Sequence, residues 1–195
     1  MTDVVVVRPC TDAVEQTLSL WVDLLLPPGT GLPGVNVVQD LYSGVLAAAA
    51  QAACSVGDVV LYFGHGTQTT LGDPTLLDTT TIGCAANRTV IAIACLSSDT
   101  LGPTAVNQHN VNAYLGFSEP LFVYNARPSV IGTEVVHRLG DFLVGRTALT
   151  QARDDLRTDL QQTEALFHNG FNSTHPDAAL IWMGARMNWR GLELA

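Results

Sequence analysis

A chain of 195 residues and 20.7 kDa is the size of one domain with a substantial core, which excludes two independent catalytic domains. Hydrophobic residues make up 47% of it and charged residues 14%, an apolar composition that excludes wholesale disorder. The net charge is −9, and all nine cationic residues are Arg with no Lys, which argues against a nucleic-acid partner and in favour of neutral or basic ones.

Without Lys there is no Schiff-base or Ser-Lys catalysis, and no lysine for a phosphate-binding P-loop. Four cysteines (Cys10, Cys54, Cys84, Cys95) are too sparse for a disulfide scaffold and form no CxxC pair. The N-terminus carries no basic leader, and the longest apolar stretch, Val45 to Cys54, is about half a bilayer span. These features predict a cytoplasmic protein without membrane insertion, in which the N-x-[S/T] patterns at Asn87 and Asn172 are chance matches.

In chain order, Val4 to Val7 is a continuous β-branched run that predicts a strand buried on both faces, followed by a helix from Asp12 to Leu25. Pro27 to Gly34 (PPGTGLPG) reads as a surface loop, and Val37 to Cys54, with its Ala-rich face, as a helix. Asp58 to Phe63 (DVVLYF) and Thr89 to Ala94 (TVIAIA) are further buried strands, with a short helical piece from Asp78 to Asn87 between them. Pro103 to Asn110 then reads as a helix and Asn112 to Phe117 and Leu121 to Tyr124 as strands. Helical patterns over Ser129 to Val144, Ala148 to His168 and Asp177 to Met187 complete the chain, with Trp182, Met183, Met187 and Trp189 read as core. This alternation predicts a single α/β domain over residues 1–195 with a mostly parallel sheet.

Ligands of parallel α/β sheets gather at the carboxyl ends of the strands. The DVVLYF strand runs into Gly64-His65-Gly66-Thr67, and the TVIAIA strand into Cys95-Leu96-Ser97-Ser98. One tip offers a base and the other a thiol, and the chain between them is long enough for a loop, a crossover helix and a return strand that bring the two together. An imidazole activates a thiol readily because the thiol ionises near neutrality, so a His/Cys pair suffices for acyl transfer. The backbone N–H groups of Gly66 and Cys95 are candidates for the oxyanion hole. His109, His137, His168 and His175 do not cluster at ligand spacing, so no metal is expected, and a His/Cys pair requires no cofactor.

The motifs YFGHGT and IAIACLSS resemble the caspase, gingipain, separase and CHAT superfamily of cysteine peptidases, over Val59 to Glu119. The pattern of Ala-Cys followed by small residues is most similar to CHAT and gingipain-like peptidases. The resemblance implies a three-layer α/β/α caspase-like sandwich, with His65 as catalytic histidine, Cys95 as nucleophile, and Gly66 and Cys95 as oxyanion-hole donors. Separase and CHAT peptidases that cut after Arg or Lys carry an acidic residue at the end of the next strand. Here Glu119 holds that place, with Asp99, Asp73 and Asp78 as competitors, whereas Arg127 is the candidate for an acidic specificity. The implied partner is a specific protein substrate, and standalone prokaryotic members resemble defence or cell-death effectors, some cutting a gasdermin-like pore-former. Two alternatives stay open: a non-catalytic interaction module on the same fold, and a thiol hydrolase or acyltransferase acting on a small substrate.

Overall fold

Five β-branched or apolar runs form the parallel part of a six-stranded sheet: β1 (Thr2–Arg8), β2 (Val35–Tyr42), β3 (Val59–Phe63), β6 (Thr89–Ile93) and β7 (Ala113–Phe117). The structure, a computed structural model, describes residues 1–124, 129–168 and 176–195; Arg127, Asn172 and His175 lie outside them. The sheet order is β2-β1-β3-β6-β7-β8, with β8 (Leu192–Leu194) antiparallel to β7 at one edge. A separate hairpin pairs β4 (Thr70–Leu71) with β5 (Leu77–Asp78).

Alternation along each central strand divides the core into two layers. Val4, Val6, Val59, Leu61, Phe63, Ile91 and Ile93 face α1 (Ala13–Leu25), α4 (Val130–Leu143) and α5 (Leu149–His168). Val5, Val7, Val60, Tyr62, Val90 and Ala92 face α2 (Ala47–Cys54) and α3 (Leu101–His109). Helices therefore cover both faces of the sheet. Helix α1 buries Leu18, Trp21, Val22 and Leu25 in this layer at helical spacing, Trp21 and Leu25 against glycines of α4, each of these burials contributing about 1.5–3 kcal/mol. Its first turn is closed by Asp12, which accepts from the N–H groups of Val14 and Glu15 at 2.9 Å.

Four expectations from the sequence need correction. Val37 to Cys54 is not one helix: β2 pairs in parallel with β1 at the sheet edge, and Ser43 and Gly44, at φ of 58° and 55°, turn the chain before α2 begins. The β3–β6 connection contains no crossover α-helix; the β4–β5 hairpin and a 3-10 turn over Ile82–Ala85 replace it. Leu121 to Tyr124 joins no sheet; the Leu121 and Phe122 N–H groups donate instead to the side chains of Cys95 and Asn188. Finally, α6 (Ala178–Gly191) buries small residues rather than the Trp/Met stripe: Gly184, Ala185, Asn188 and Gly191 face inward, while Met183 is exposed and Trp182 and Trp189 are half-buried.

Candidate active site

Strands β3 and β6 are adjacent and parallel, and Phe63 is the register partner of Ile93. The pairing continues one residue further through Gly64 N–H, which donates to the Ile93 carbonyl at 3.3 Å. His65 and Cys95 thus stand at equivalent positions just beyond the two strand ends. Both follow the odd-numbered residues of their strands, and Cys95 packs against the core layer that holds Phe63 and Ile93. The topology brings the two together at the carboxyl edge of the sheet.

Local packing explains the glycines around His65. A Cβ on Gly64 would stand 2.6 Å from the Tyr62 hydroxyl, which donates to the His65 carbonyl at 2.8 Å and fixes the imidazole's backbone. A Cβ on Gly66 would stand 2.8 Å from both the Ala94 Cβ and the Cys95 carbonyl oxygen, so only glycine lets the two tips approach this closely. Thr67 N–H donates to the Thr70 carbonyl and Gly72 N–H to the His65 carbonyl, both at 2.9 Å. Gly66 and Leu71 are therefore the non-hydrogen-bonded pair of that bridge, and the Gly66 N–H points away from the hairpin.

Sequence reasoning missed the partner of the imidazole. Nε2 of His65 lies 2.6 Å from Oδ2 of Asp12, a residue 53 positions earlier that arrives from the end of β1, the strand beside β3. Hydrogen bonds from the Glu15 backbone and from His65 hold the Asp12 carboxyl below the usual carboxylate range. An ionised carboxylate only accepts, so Nε2 carries the proton and Nδ1 is the open nitrogen of the neutral ring. Position supplies the one available signal: Asp12 ends the short loop that leaves the β1 tip and opens a helix.

The thiol is half-buried. Its Sγ accepts from Leu121 N–H at 3.3 Å and lies 3.8 Å from the Leu121 carbonyl oxygen. Among the described residues, His65 and Cys95 are each hydrogen-bonded to a third group rather than to one another. Leu96, next to the thiol, adopts φ of 57°, a left-handed conformation that costs a non-glycine residue about 1–2 kcal/mol. It is held by its N–H, which donates to the Glu119 carbonyl at 3.2 Å.

No protein-family model and no curated sequence matches this chain.

The acidic candidates separate by position. Glu119 is exposed, follows β7, and its backbone is bonded to the residue after Cys95. Asp99 is exposed on the turn after Ser98, and Asp73 is exposed in the hairpin loop. The Asp78 carboxylate is occupied by the N–H and hydroxyl groups of Thr80 and Thr81, which lower it to about 2, so it serves the loop. All four cysteines are free. Cys84 accepts from the Cys54 thiol, a bond that lowers Cys84 and raises Cys54. Among the described residues no group of three or more His, Cys, Asp or Glu is placed to hold a metal ion, and no helix is long and apolar enough to cross a membrane.

Proposed function

We propose that this protein is a cysteine endopeptidase of the caspase-like superfamily, with Cys95 as nucleophile, His65 as general base and acid, and Asp12 orienting the imidazole. The observation that carries the reading is the in-register placement of His65 and Cys95 at the tips of adjacent parallel strands, with Asp12 on the far nitrogen of the ring. The open Nδ1 takes the thiol proton, Sγ attacks the peptide carbonyl, and the imidazolium returns the proton to the leaving amine. The Gly66 N–H and the Cys95 N–H are the donors proposed for the oxyanion, each worth about 100 to 1000 fold in turnover. Sandwiching of the parallel sheet between helices supports the caspase-like fold.

Glu119 is the proposed floor of a pocket for a basic P1 side chain, supported by its backbone bond to Leu96. Asp73 lacks that tie and Asp78 is consumed by its own loop, whereas Asp99, whose N–H donates to the Leu96 carbonyl at 3.2 Å, is the remaining competitor. The substrate class is a protein presenting Arg or Lys at the scissile position; a defence-system partner such as a gasdermin-like pore-former is the family-based extension of that reading. The test is a fluorogenic peptide panel varying only P1, run on wild type, Cys95→Ala, His65→Ala and Glu119→Ala. Cleavage after Arg or Lys, abolished by the first two changes and redirected by the third, is expected. Cleavage after Asp would sink the Glu119 assignment.

The contact of the thiol with the Leu121 carbonyl at 3.8 Å, in which the sulfur keeps its proton as donor, favours a second reading, a caspase-fold interaction module without turnover. That reading predicts a Cys95 no more reactive than the other thiols.

A further inference from the structure

One inward face of α6 holds the segment that follows β7 along its length. A Cβ on Gly184 would stand 2.5 Å from the Phe122 ring, so the glycine makes room for that ring. One turn on, the fully buried Asn188 grips the Phe122 backbone at both ends: Oδ1 accepts from Phe122 N–H at 2.8 Å, and Nδ2 donates to the Phe122 carbonyl at 3.0 Å. Near the helix end, the Gly191 carbonyl accepts from Ser118 N–H at 2.7 Å, and a Cβ on Gly191 would stand 3.0 Å from that of Glu119. Positions 184, 188 and 191 share one helical face. The side chain of Leu121 is anchored in the core layer beneath.

A buried amide that satisfies both polar groups of one residue reproduces a strand pairing and leaves that residue little freedom. Immediately before Phe122 comes Leu121, whose N–H faces Sγ of Cys95 at 3.3 Å. We propose that Asn188 is a positioning residue for Cys95: by clamping Phe122 it aims the Leu121 amide at the sulfur and so raises the reactivity of the thiol. The inference rests on Cys95 being the nucleophile. An N–H donor stabilises a thiolate more than a thiol, because bonds to a charged acceptor are roughly twice as strong. The other ionisable groups at this edge of the sheet are His65 after β3, Asp12 at the head of α1 and Glu119 after β7.

The experiment measures iodoacetamide alkylation of each cysteine by peptide mapping, at about pH 6 and about pH 9, in the whole chain. Variants are Asn188→Leu, which keeps the volume and loses both bonds, and Asn188→Asp, which keeps the acceptor for Phe122 N–H. Gly184→Ala displaces the Phe122 ring through a different contact, and near-UV circular dichroism verifies that each variant is folded. Cys95 is expected to react about tenfold more slowly at the lower pH in Asn188→Leu and Gly184→Ala, with Asn188→Asp intermediate, and to approach the wild-type rate at the higher pH. A general loss of structure would not produce that pH-selective loss. Unchanged rates overturn the proposal, and faster labelling at both pH values overturns it by making the 118–122 segment a mere cover. A wild-type Cys95 that reacts no faster than Cys10, Cys54 or Cys84 fails the nucleophile reading itself, a result distinct from the other two.

Discussion

Asp12 uses its two carboxylate oxygens for two separate jobs, and substitution separates them. Oδ1 caps α1 and Oδ2 accepts from His65. Asn is as good a helix cap as Asp, but its amide nitrogen facing Nε2 favours the wrong ring tautomer. Asp12→Asn is therefore expected to keep the helix cap, to lose only the part of the stability that depends on the ionised carboxylate, and to lose about 100-fold in kcat/KM. Asp12→Ala loses the same activity and also about 1 kcal/mol of stability, read as a melting temperature about 2–4 °C lower. Because the Asp12 carboxyl is depressed on folding, its contribution to stability is fully present above the unfolded value of 3.8 and is lost as pH falls below it. His65 and Cys95 were legible because each stands at the end of an uninterrupted apolar run; Asp12 was legible only as the first residue of a helical segment. Leu121 acts through its amide, which every residue but proline possesses, so its identity carries no signal.

At the scale of elements, the packing of α4 on α5 contains a penalty that pH exposes. Burial raises the Glu134 carboxyl to about 7, opposed by a hydrogen bond from the Thr163 hydroxyl and assisted by Asp159. Between the unfolded value of 4.5 and about 7 the folded state holds a proton that the unfolded state has lost, so this group lowers stability as pH rises through that window. Glu134→Gln keeps an acceptor for Thr163 and removes the charge. Discounting for partial solvent exposure, it is expected to gain about 1 kcal/mol, or about 2–4 °C in melting temperature, at about pH 8 and nothing near about pH 4. A variant no more stable than wild type at the higher pH contradicts this. The buried strands β1, β3 and β6 were readable as β-branched runs, whereas β2 was not. As an edge strand it leaves Val37 and Val38 about 40% exposed (41% and 39%), so it lacks a clean apolar pattern, and it abuts an Ala-rich helix. The three residues of β8 acquire strand geometry only from β7.

For the whole molecule, the parallel sheet converts three separate sequence positions into one site. The order β1-β3-β6 sets the tips of three neighbouring strands side by side, delivering Asp12, His65 and Cys95. Parallel pairing was foreseeable from the alternation of elements, but the neighbour of β3 on its far side was not, because nothing local links residue 12 to residue 65. An overall charge of −9, with no Lys, suits a basic polypeptide approaching that edge. The most direct measurement of the central claim is covalent capture with a peptidyl-arginyl chloromethyl ketone, with the adduct located by peptide mapping in wild type and in His65→Ala. Cys84 is the internal competitor, since its bond from Cys54 lowers it and it is only half-buried. The account predicts one adduct, on Cys95, that is lost in His65→Ala and not formed by the aspartyl analogue. Labelling shared evenly with Cys10 and Cys84, or persisting on Cys95 without His65, contradicts it.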